Sequence, residues 1–255
     1  MKYIAIIITL LFAGNIALAQ NTHFTTSGTI EFEKSVNMFA WLKKQITTSN
    51  SSYMQQVYDQ YVKSKPQFVK LKSTLTFSKD KSLFTPIADE TNTNSYANDP
   101  AIAQNNTVFN DILNGTSITR KNAFEDYFLV KDSTRKINWK ITDETRDILG
   151  YTCRRANAII LDSVYVVAFY TDEIVVSSGP ESFTGLPGMI LGVALPHDNI
   201  TWFATKVTDT TVPPAALAPP TKGKVVNNEQ LKTTIDKALK GYGTEALIYL
   251  KVFLL

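Results

Sequence analysis

Apolar and polar residues alternate with a period of two through much of this chain, and this pattern constrains its fold more than any other feature. A period of two places every second side chain on the same face of a β-strand. Short alternating runs separated by turn residues are typical of a mostly antiparallel sheet. The runs predicted as strands are 29–33, 69–77, 82–84, 107–113, 116–121, 127–130, 137–141, 151–161, 164–170 and 201–207.

Turn signals connect several of these runs. Asn114-Gly115 separates two of them, and both residues tolerate the positive φ angles that a two-residue hairpin turn requires. Asp162-Ser163 offers a second tight connection. Residues 86–106 are polar, lack periodicity and contain two prolines, so we predict a long surface loop there.

Helical periodicity occurs in two parts of the chain. Between the first two predicted strands, apolar residues recur at helical spacing on both sides of a polar run at 47–52, and Pro66 ends the second stretch. Asn227 followed by Gln230 predicts a capped helix through about Lys240. The residues predicted to face the core from these helices are Val36, Phe39, Ala40, Ile46, Met54, Val57, Tyr58, Tyr61, Leu231, Ile235 and Leu239.

The C-terminal part has a different composition. Four prolines in residues 212–220 predict an extended connector. The segment 227–255 begins with the capped helix and ends in a very apolar stretch, which we expect to pack on the core as a helix or strand. Strands together with these helices indicate an α+β fold class.

The first nineteen residues have the order of a secretory signal peptide. Lys2 supplies positive charge, residues 3–12 form a short apolar run, and Ala17-Leu18-Ala19 is a small-x-small cleavage site. The run is too short to span a bilayer, and no cysteine follows it for lipid attachment. We expect a soluble exported protein, periplasmic or extracellular, that is cleaved after Ala19, is not a lipoprotein and has no transmembrane span. A buried N-terminal helix is the alternative.

The composition of the chain bounds its class. Its 44% hydrophobic residues exclude a disordered polymer. The remaining residues 20–255 are long enough for one substantial core or for two small domains, and of these we expect a single domain. One cysteine cannot form an internal disulfide, and two histidines cannot supply a histidine-rich metal centre. A formal net charge of +3 without long runs of like charge argues against a nucleic-acid partner.

Residues 177–194 concentrate glycines and prolines among apolar side chains. Glycine permits positive φ angles and close backbone approach, whereas proline fixes φ. We expect a turn pressed against the core, either as a packing turn or as a backbone-lined ligand niche, with no convergent acidic, basic or imidazole group beside its glycines. The candidate binding residues are Gly179, Pro180, Phe183, Gly185, Leu186, Pro187, Gly188, Met189 and Ile190.

Two motifs in this half of the chain resemble a known family. Residues 185–190 read Gly-Leu-Pro-Gly-Met-Ile, which resembles the signature of the GLPGLI family of secreted and periplasmic proteins of Gram-negative bacteria, with Met in place of the second Leu. Residues 150–156 resemble its Gly-Tyr-x-Cys-basic-basic-Ala pattern, and Trp139 matches its upstream tryptophan. The resemblance covers about residues 137–207.

The resemblance implies export, whereas it implies no reaction, because the GLPGLI family has no known activity. Its pattern is also similar to that of periplasmic lipoprotein carriers with a curved sheet, which is an analogy of fold only. This implies a curved, half-barrel-like, mostly antiparallel sheet with helices packed on one face.

Catalytic motifs are scarce in this sequence. His197-Asp198 could pair a base with an acid, but adjacent residues point apart and no Gly-x-Ser-x-Gly turn accompanies them. Glu125-Asp126 and Asp143-Glu144 are predicted as solvated carboxylates, with a glycosidase-like pair as the open alternative. Cys153 is predicted as a small buried residue, the alternative being a thiol activated by its arginine neighbours. We assign no catalytic residue, no metal site and no cofactor.

These observations favour an exported envelope protein that is not an enzyme. We expect it to bind an apolar ligand, such as a hydrophobic small molecule or a lipid, or another envelope protein. Two alternatives stay open: a periplasmic hydrolase of unrecognised type, and a structural or assembly partner of outer-membrane machinery.

Overall fold

The computed structural model describes residues 24–88, 94–96, 98–103, 105–243 and 246–255. Within these ranges twelve strands form one sheet, whose edge strands β12 and β7 do not pair with each other. The strands are β1 Gly28–Asn37, β2 Phe68–Ser78, β3 Lys81–Ile87, β4 Thr107–Asp111, β5 Thr116–Ala123, β6 Asp126–Ser133, β7 Lys140–Ile148, β8 Tyr151–Ile160, β9 Val164–Thr171, β10 Met189–Leu195, β11 Ile200–Asp209 and β12 Lys224–Val226.

The helices are few and short. They are α1 Met38–Lys44, α2 Ser51–Ser64, α3 Pro100–Ala103, α4 Asn228–Ala238 and α5 Ala246–Leu254, with a 3₁₀ turn at Pro214–Leu217. The expected α+β class is therefore wrong, because this chain is mostly β. The helices also do not form one layer over the sheet: α1 contacts β1 and β2, whereas α4 contacts β6 and α5.

The sheet consists of two antiparallel meanders. Strands β1 to β6 lie side by side in chain order, as do strands β7 to β11. The first and last strands of these series, β1 and β11, pair antiparallel and join the two meanders, with Val36 opposite Ile200 and Gly28 opposite Asp209. β12 adds to β6 in parallel. The β1–β11 pair thus lies near the middle of the sheet.

Alternation along each strand explains which face is buried. In β1, Ile30, Phe32 and Val36 are fully buried, while Glu31 and Glu33 on the opposite face pair with lysines of β11 and β2. The main core contains residues of both meanders, and a smaller cluster lies between β6, α4 and α5.

Several local predictions are confirmed. β4 and β5 form the predicted hairpin, but its turn has four residues, 112–115, and Gly115 has a positive φ of 63° whereas Asn114 does not. β8 and β9 form the second predicted hairpin, but its turn covers residues 161–163 instead of Asp162-Ser163 alone, and Leu161 and Asp162 have the positive φ angles. Asn227 and Gln230 form the predicted capping box at the start of α4, and the helix buries the predicted apolar stripe Leu231, Ile235 and Leu239.

Other boundaries differ from the predictions. Val36 continues β1 instead of starting a helix, because it pairs with both neighbouring strands. β7 runs to Ile148 where the sequence predicted an end at 141, and the connector 212–220 contains the 3₁₀ turn. The predicted signal peptide lies outside the described residues. No helix of the described ranges is long and apolar enough to cross a membrane.

Candidate functional site

The loop between β9 and β10, residues 172–188, lies against strands of both meanders. The Ser178 hydroxyl donates to the Ser82 hydroxyl of β3 over 2.7 Å, and both residues are fully buried. Trp139 directly precedes the edge strand β7, and its indole Nε1 donates to the carbonyl oxygen of Thr184 over 2.9 Å. The glycine- and proline-rich segment of the sequence is therefore a loop held by fixed polar contacts.

Most of the nine candidate binding residues are packed into the core. Gly185 and Pro187 are exposed, and the other seven are buried. Gly188 has φ 141°, and a Cβ atom there would lie 2.1 Å from the carbonyl oxygen of Thr171, so only glycine fits. The centres of the Phe183 and Trp202 rings lie 6.0 Å apart. Gly185 lines one of the cavities, and ligand binding by the nine residues stays a prediction.

Glu181, in the same loop, is the residue that sequence reasoning missed. Its backbone is left-handed, with φ 52°, and its side chain is almost fully buried. Its carboxylate oxygen Oε2 accepts a hydrogen bond from Asn106 Nδ2 over 3.0 Å, and Lys34 and Lys121 act on it electrostatically. The statement that no charged group accompanies the glycines of this segment is wrong.

Strand periodicity was the signal that could have found the two lysines. Lys34 occupies a position of β1 whose neighbours at two-residue spacing, Phe32 and Val36, are core residues. Lys121 occupies the equivalent kind of position in β5, two residues before buried Ala123. A lysine on a buried strand face is rare unless it has a partner or a function.

Burial changes the ionisation of these three groups. Desolvation lowers the pKa of Lys34 to about 7, against the opposing influence of Glu181 and Asp99. Desolvation also lowers the pKa of Lys121 to about 8 and raises the pKa of Glu181 to about 7. The Lys34 ammonium donates to the carbonyl oxygen of Ile102 and lies 5.3 Å from the centre of the Trp202 ring.

Lys34 and Glu181 border a cavity of about 270 Å³, which we call the lysine pocket. Trp202, Phe84 and Ser73 also line it. The Ser73 hydroxyl is buried and has no hydrogen-bond partner in the described part of the chain. An unpaired buried hydroxyl is costly, so this pocket has unmet polar capacity.

A second cavity, of about 490 Å³, adjoins the lysine pocket, because Asn98, Ala103 and Asn105 line both. We call it the amide cleft. Four asparagines and four aromatic rings line it: Asn98, Asn105, Asn106, Asn122, Phe124, Tyr242, Tyr249 and Phe253. About half of the Tyr242 surface and 44% of that of Phe124 are exposed.

The groups that the sequence singled out for catalysis lie elsewhere. His197 is exposed on a turn, with its ring centre 6.2 Å from that of Tyr165. Burial raises the pKa of the Cys153 thiol to about 12, so this thiol is not a reactive nucleophile. Asp126 and Glu144 make ion pairs with Lys224 and Arg155. No group of three His, Cys, Asp or Glu side chains in the described ranges could hold a metal ion.

Comparison with known proteins relates this chain to N-glycanases. The sequence profile of the family described as N-glycanase peptide, N-terminal domain, matches residues 60–231, which is more than half of the chain. Among curated proteins, none is significantly similar to it in sequence.

Two solved structures of PNGF-II, in different space groups, resemble the fold with a TM-score of 0.50 each. They are 16% and 15% identical to this chain and cover 82% of it, while this chain covers 33% and 32% of theirs. At this identity the likeness shows the fold alone. The chain thus spans about a third of the length of PNGF-II.

Proposed function

The chain belongs to the family of N-glycanase N-terminal domains, and from this we propose that it is a recognition domain that binds the N-linked glycan of glycoproteins. The amide cleft is the observation that carries the proposal. Side-chain amides offer both donors and acceptors and so match the hydroxyl and acetamido groups of a sugar. Aromatic rings beside them supply the apolar surface that orients a ligand.

The size and position of the cavities support the same proposal. The amide cleft alone has a volume in the usual range of small-molecule sites, and the lysine pocket extends it. Asn106 connects the two, because it lines the cleft and donates to the buried carboxylate of Glu181. A ligand of two sugar units would contact amides and rings in the cleft and approach the charged groups of the pocket.

The apolar ligand expected from the sequence is not what these cavities favour. Amide side chains line the cleft, and Lys34 and Glu181 border the pocket. We therefore propose a hydroxyl-rich ligand in its place.

We also propose export through a signal peptide at residues 1–19, one domain over 20–255, and a relationship to the GLPGLI family. These proposals rest on the sequence of the N-terminus and on the Gly-Leu-Pro-Gly-Met-Ile segment at 185–190. An exported protein would meet the glycoproteins that carry such glycans.

Calorimetric titration of the full chain tests glycan binding. The probes are an N-glycosylated peptide, the same peptide without its glycan, and the disaccharide N,N′-diacetylchitobiose. We expect binding of the first and third probes only. Tyr242→Ala should weaken binding at least tenfold, since it removes an exposed ring of the cleft.

Tyr53→Ala is the matched control, because Tyr53 is an exposed tyrosine on α2 that does not line the cleft. It should leave the affinity unchanged. Equal binding of the glycosylated and bare peptides, or the same loss in both tyrosine variants, would contradict the proposal.

Hydrolysis of the glycan linkage is a second candidate function, and the raised pKa of Glu181 favours it. A carboxyl that titrates near pH 7 beside a cavity is suited to act as a general acid. The assay is release of glycan from the glycosylated peptide by the full chain and by Glu181→Gln. Release that is lost in this variant would identify an enzyme, whereas binding without release identifies a recognition domain.

A further inference from the structure

One face of β5 is buried but polar. Ser117, Thr119 and Lys121 follow one another at two-residue spacing and therefore share this face, and Thr119 and Lys121 are each only 7% exposed. Asn110 of β4 lies opposite Ser117 in the strand register and is 4% exposed. A core-facing strand surface normally carries apolar side chains, so these four residues need a separate explanation.

All four residues line a third cavity, of about 510 Å³, which we call the hydroxyl pocket. It lies over β4 to β6 and extends to Ser182 of the 172–188 loop and to the beginning of α4. It shares no lining residue with the amide cleft or the lysine pocket. It is therefore a separate site.

Two of the buried side chains in the hydroxyl pocket lack hydrogen-bond partners. In the described ranges, no group accepts from the Lys121 ammonium and none bonds to the Asn110 amide. Glu181 influences Lys121 electrostatically, but the two form no ion pair within 4 Å there, and the Glu181 carboxylate accepts from Asn106. Neither group is among the fully buried atoms without a partner in the described ranges, so both are open to the cavity, where they can bond to a polar ligand.

The charges around the hydroxyl pocket favour an anion. Lys121, Arg135 and Lys136 line it, against the carboxylates of Asp132 and Glu229, while the fourth lining cation, Lys232, is paired with Asp236 over 2.9 Å. Asp132 already accepts hydrogen bonds from the backbone N–H groups of Ser133 and Asn228.

Arg135 donates to the hydroxyl of Ser182 and to the main-chain oxygens of Leu254 and Leu255. No Asp or Glu side chain of the described residues forms an ion pair with it. The pocket combines an excess of cationic groups with hydroxyls and an amide.

We propose that the hydroxyl pocket binds an anionic sugar unit, that is, a monosaccharide carrying a phosphate, sulfate or carboxylate group. The oxyanion would meet the ammonium of Lys121 and the sugar hydroxyls would meet Asn110 and the strand hydroxyls. Cationic side chains beside a phosphate or carboxylate form the stronger, charge-assisted hydrogen bonds. This site goes beyond the proposed recognition of N-linked glycans and does not depend on it.

Calorimetric titration of the full chain with five probes tests the proposal: glucose 6-phosphate, glucose 6-sulfate, glucuronate, glucose and inorganic phosphate. We expect at least one anionic sugar to bind ten times or more tighter than both glucose and inorganic phosphate. The comparison among the three anionic sugars identifies the oxyanion. Lys121→Met should weaken that binding at least tenfold.

Lys121→Met should fold, because it replaces a buried cation by an apolar side chain of similar length. Lys131→Met, at an exposed position of β6, removes the same charge outside the pocket and should leave the affinity unchanged. If Lys121→Met does not fold, Asn110→Ser replaces it and should weaken binding at least threefold.

Three results would overturn the proposal: glucose binding as tightly as the anionic sugars, inorganic phosphate binding as tightly as they do, or unchanged affinity in the folded pocket variants. The glycosylated peptide separates this site from the amide cleft. Its affinity should not change in Asn110→Ser, and Tyr242→Ala should not change the affinity for the anionic sugar.

Discussion

Glu181 combines two unfavourable features in one residue. A left-handed backbone costs a residue with a Cβ atom about 1 kcal/mol, and burial of its carboxyl adds a desolvation cost. Such features persist where the surrounding structure holds them, and they concentrate at functional sites. Here two hydrogen bonds hold the loop: the Ser178 hydroxyl donates to Ser82, and the Trp139 indole donates to the carbonyl oxygen of Thr184. Glu181 thus connects the packing of the loop to the chemistry of the lysine pocket.

Glu181→Gln should remove a pH dependence of stability. Burial raises the pKa of Glu181 from 4.5 to about 7, so between these pH values the folded carboxyl holds a proton that the unfolded chain has released. Its contribution to the free energy of unfolding is therefore complete below pH 4.5 and is lost as pH rises through about 7. Urea unfolding at several pH values measures this slope.

The matched control for this prediction is Glu125→Gln, at an exposed position in the turn between β5 and β6. It should keep the slope of the unmodified protein, whereas Glu181→Gln should flatten it. The same slope in all three proteins would show that Glu181 does not titrate differently in the folded state.

At the residue scale, the sequence predicts strand faces better than it predicts partners across the fold. Lys34 and Lys121 break an alternating pattern, so their burial is readable from their neighbours at two-residue spacing. Glu181 breaks no pattern, because the segment around it has no periodicity. Its contact with Asn106 spans 75 positions of the chain, and no local signal encodes it.

Elements whose signals are local are predicted well, and α4 is the clearest case. Its capping box is complete within the four residues from Asn227 to Gln230, and its buried stripe follows helical spacing. The end of β7 is different. Residues 142–147 are polar and mostly exposed, and pairing with β8 holds this edge strand in place. Its own sequence therefore does not predict that the strand extends to Ile148.

Asn227→Ala should destabilise the protein by about 1 kcal/mol. The Asn227 side chain accepts from the backbone N–H of Gln230 over 2.8 Å, and the Gln230 side chain accepts from the backbone N–H of Asn227 over 3.0 Å. The variant loses the first of these hydrogen bonds, so that the backbone N–H of Gln230 has only water as an acceptor. Thr233→Ala, at an exposed position within α4, should be neutral or slightly stabilising. Equal urea midpoints for the two variants would contradict the importance of the cap.

At the scale of the whole molecule, the order of strands could not be predicted from the sequence. Alternation and turns predict hairpins between consecutive strands, and both meanders are built in that way. The pairing of β1 with β11 joins residues about 170 positions apart, and only the assembled sheet shows it. The same absence of long-range information led to the wrong α+β class, because the helices were assigned a layer that they do not form.

Both meanders should unfold as one unit, because they share the core at the β1–β11 pair. Phe32 of β1 is only 1% exposed and lies in the main core with residues of β2, β3, β9 and β10. Phe32→Ala should lower the free energy of unfolding by about 3–5 kcal/mol. Since the β1–β11 pair belongs to both meanders, amides of β2 and β9 should lose hydrogen-exchange protection by the same factor.

Ile159→Ala is the control, because Ile159 is 65% exposed on β8, and its effect should stay within about 0.5 kcal/mol. If Phe32→Ala reduced protection in β2 but not in β9, the meanders would be separate folding units that merely pair. In that case the β1–β11 pairing and the contact of the 172–188 loop with β3 would join two units that unfold independently.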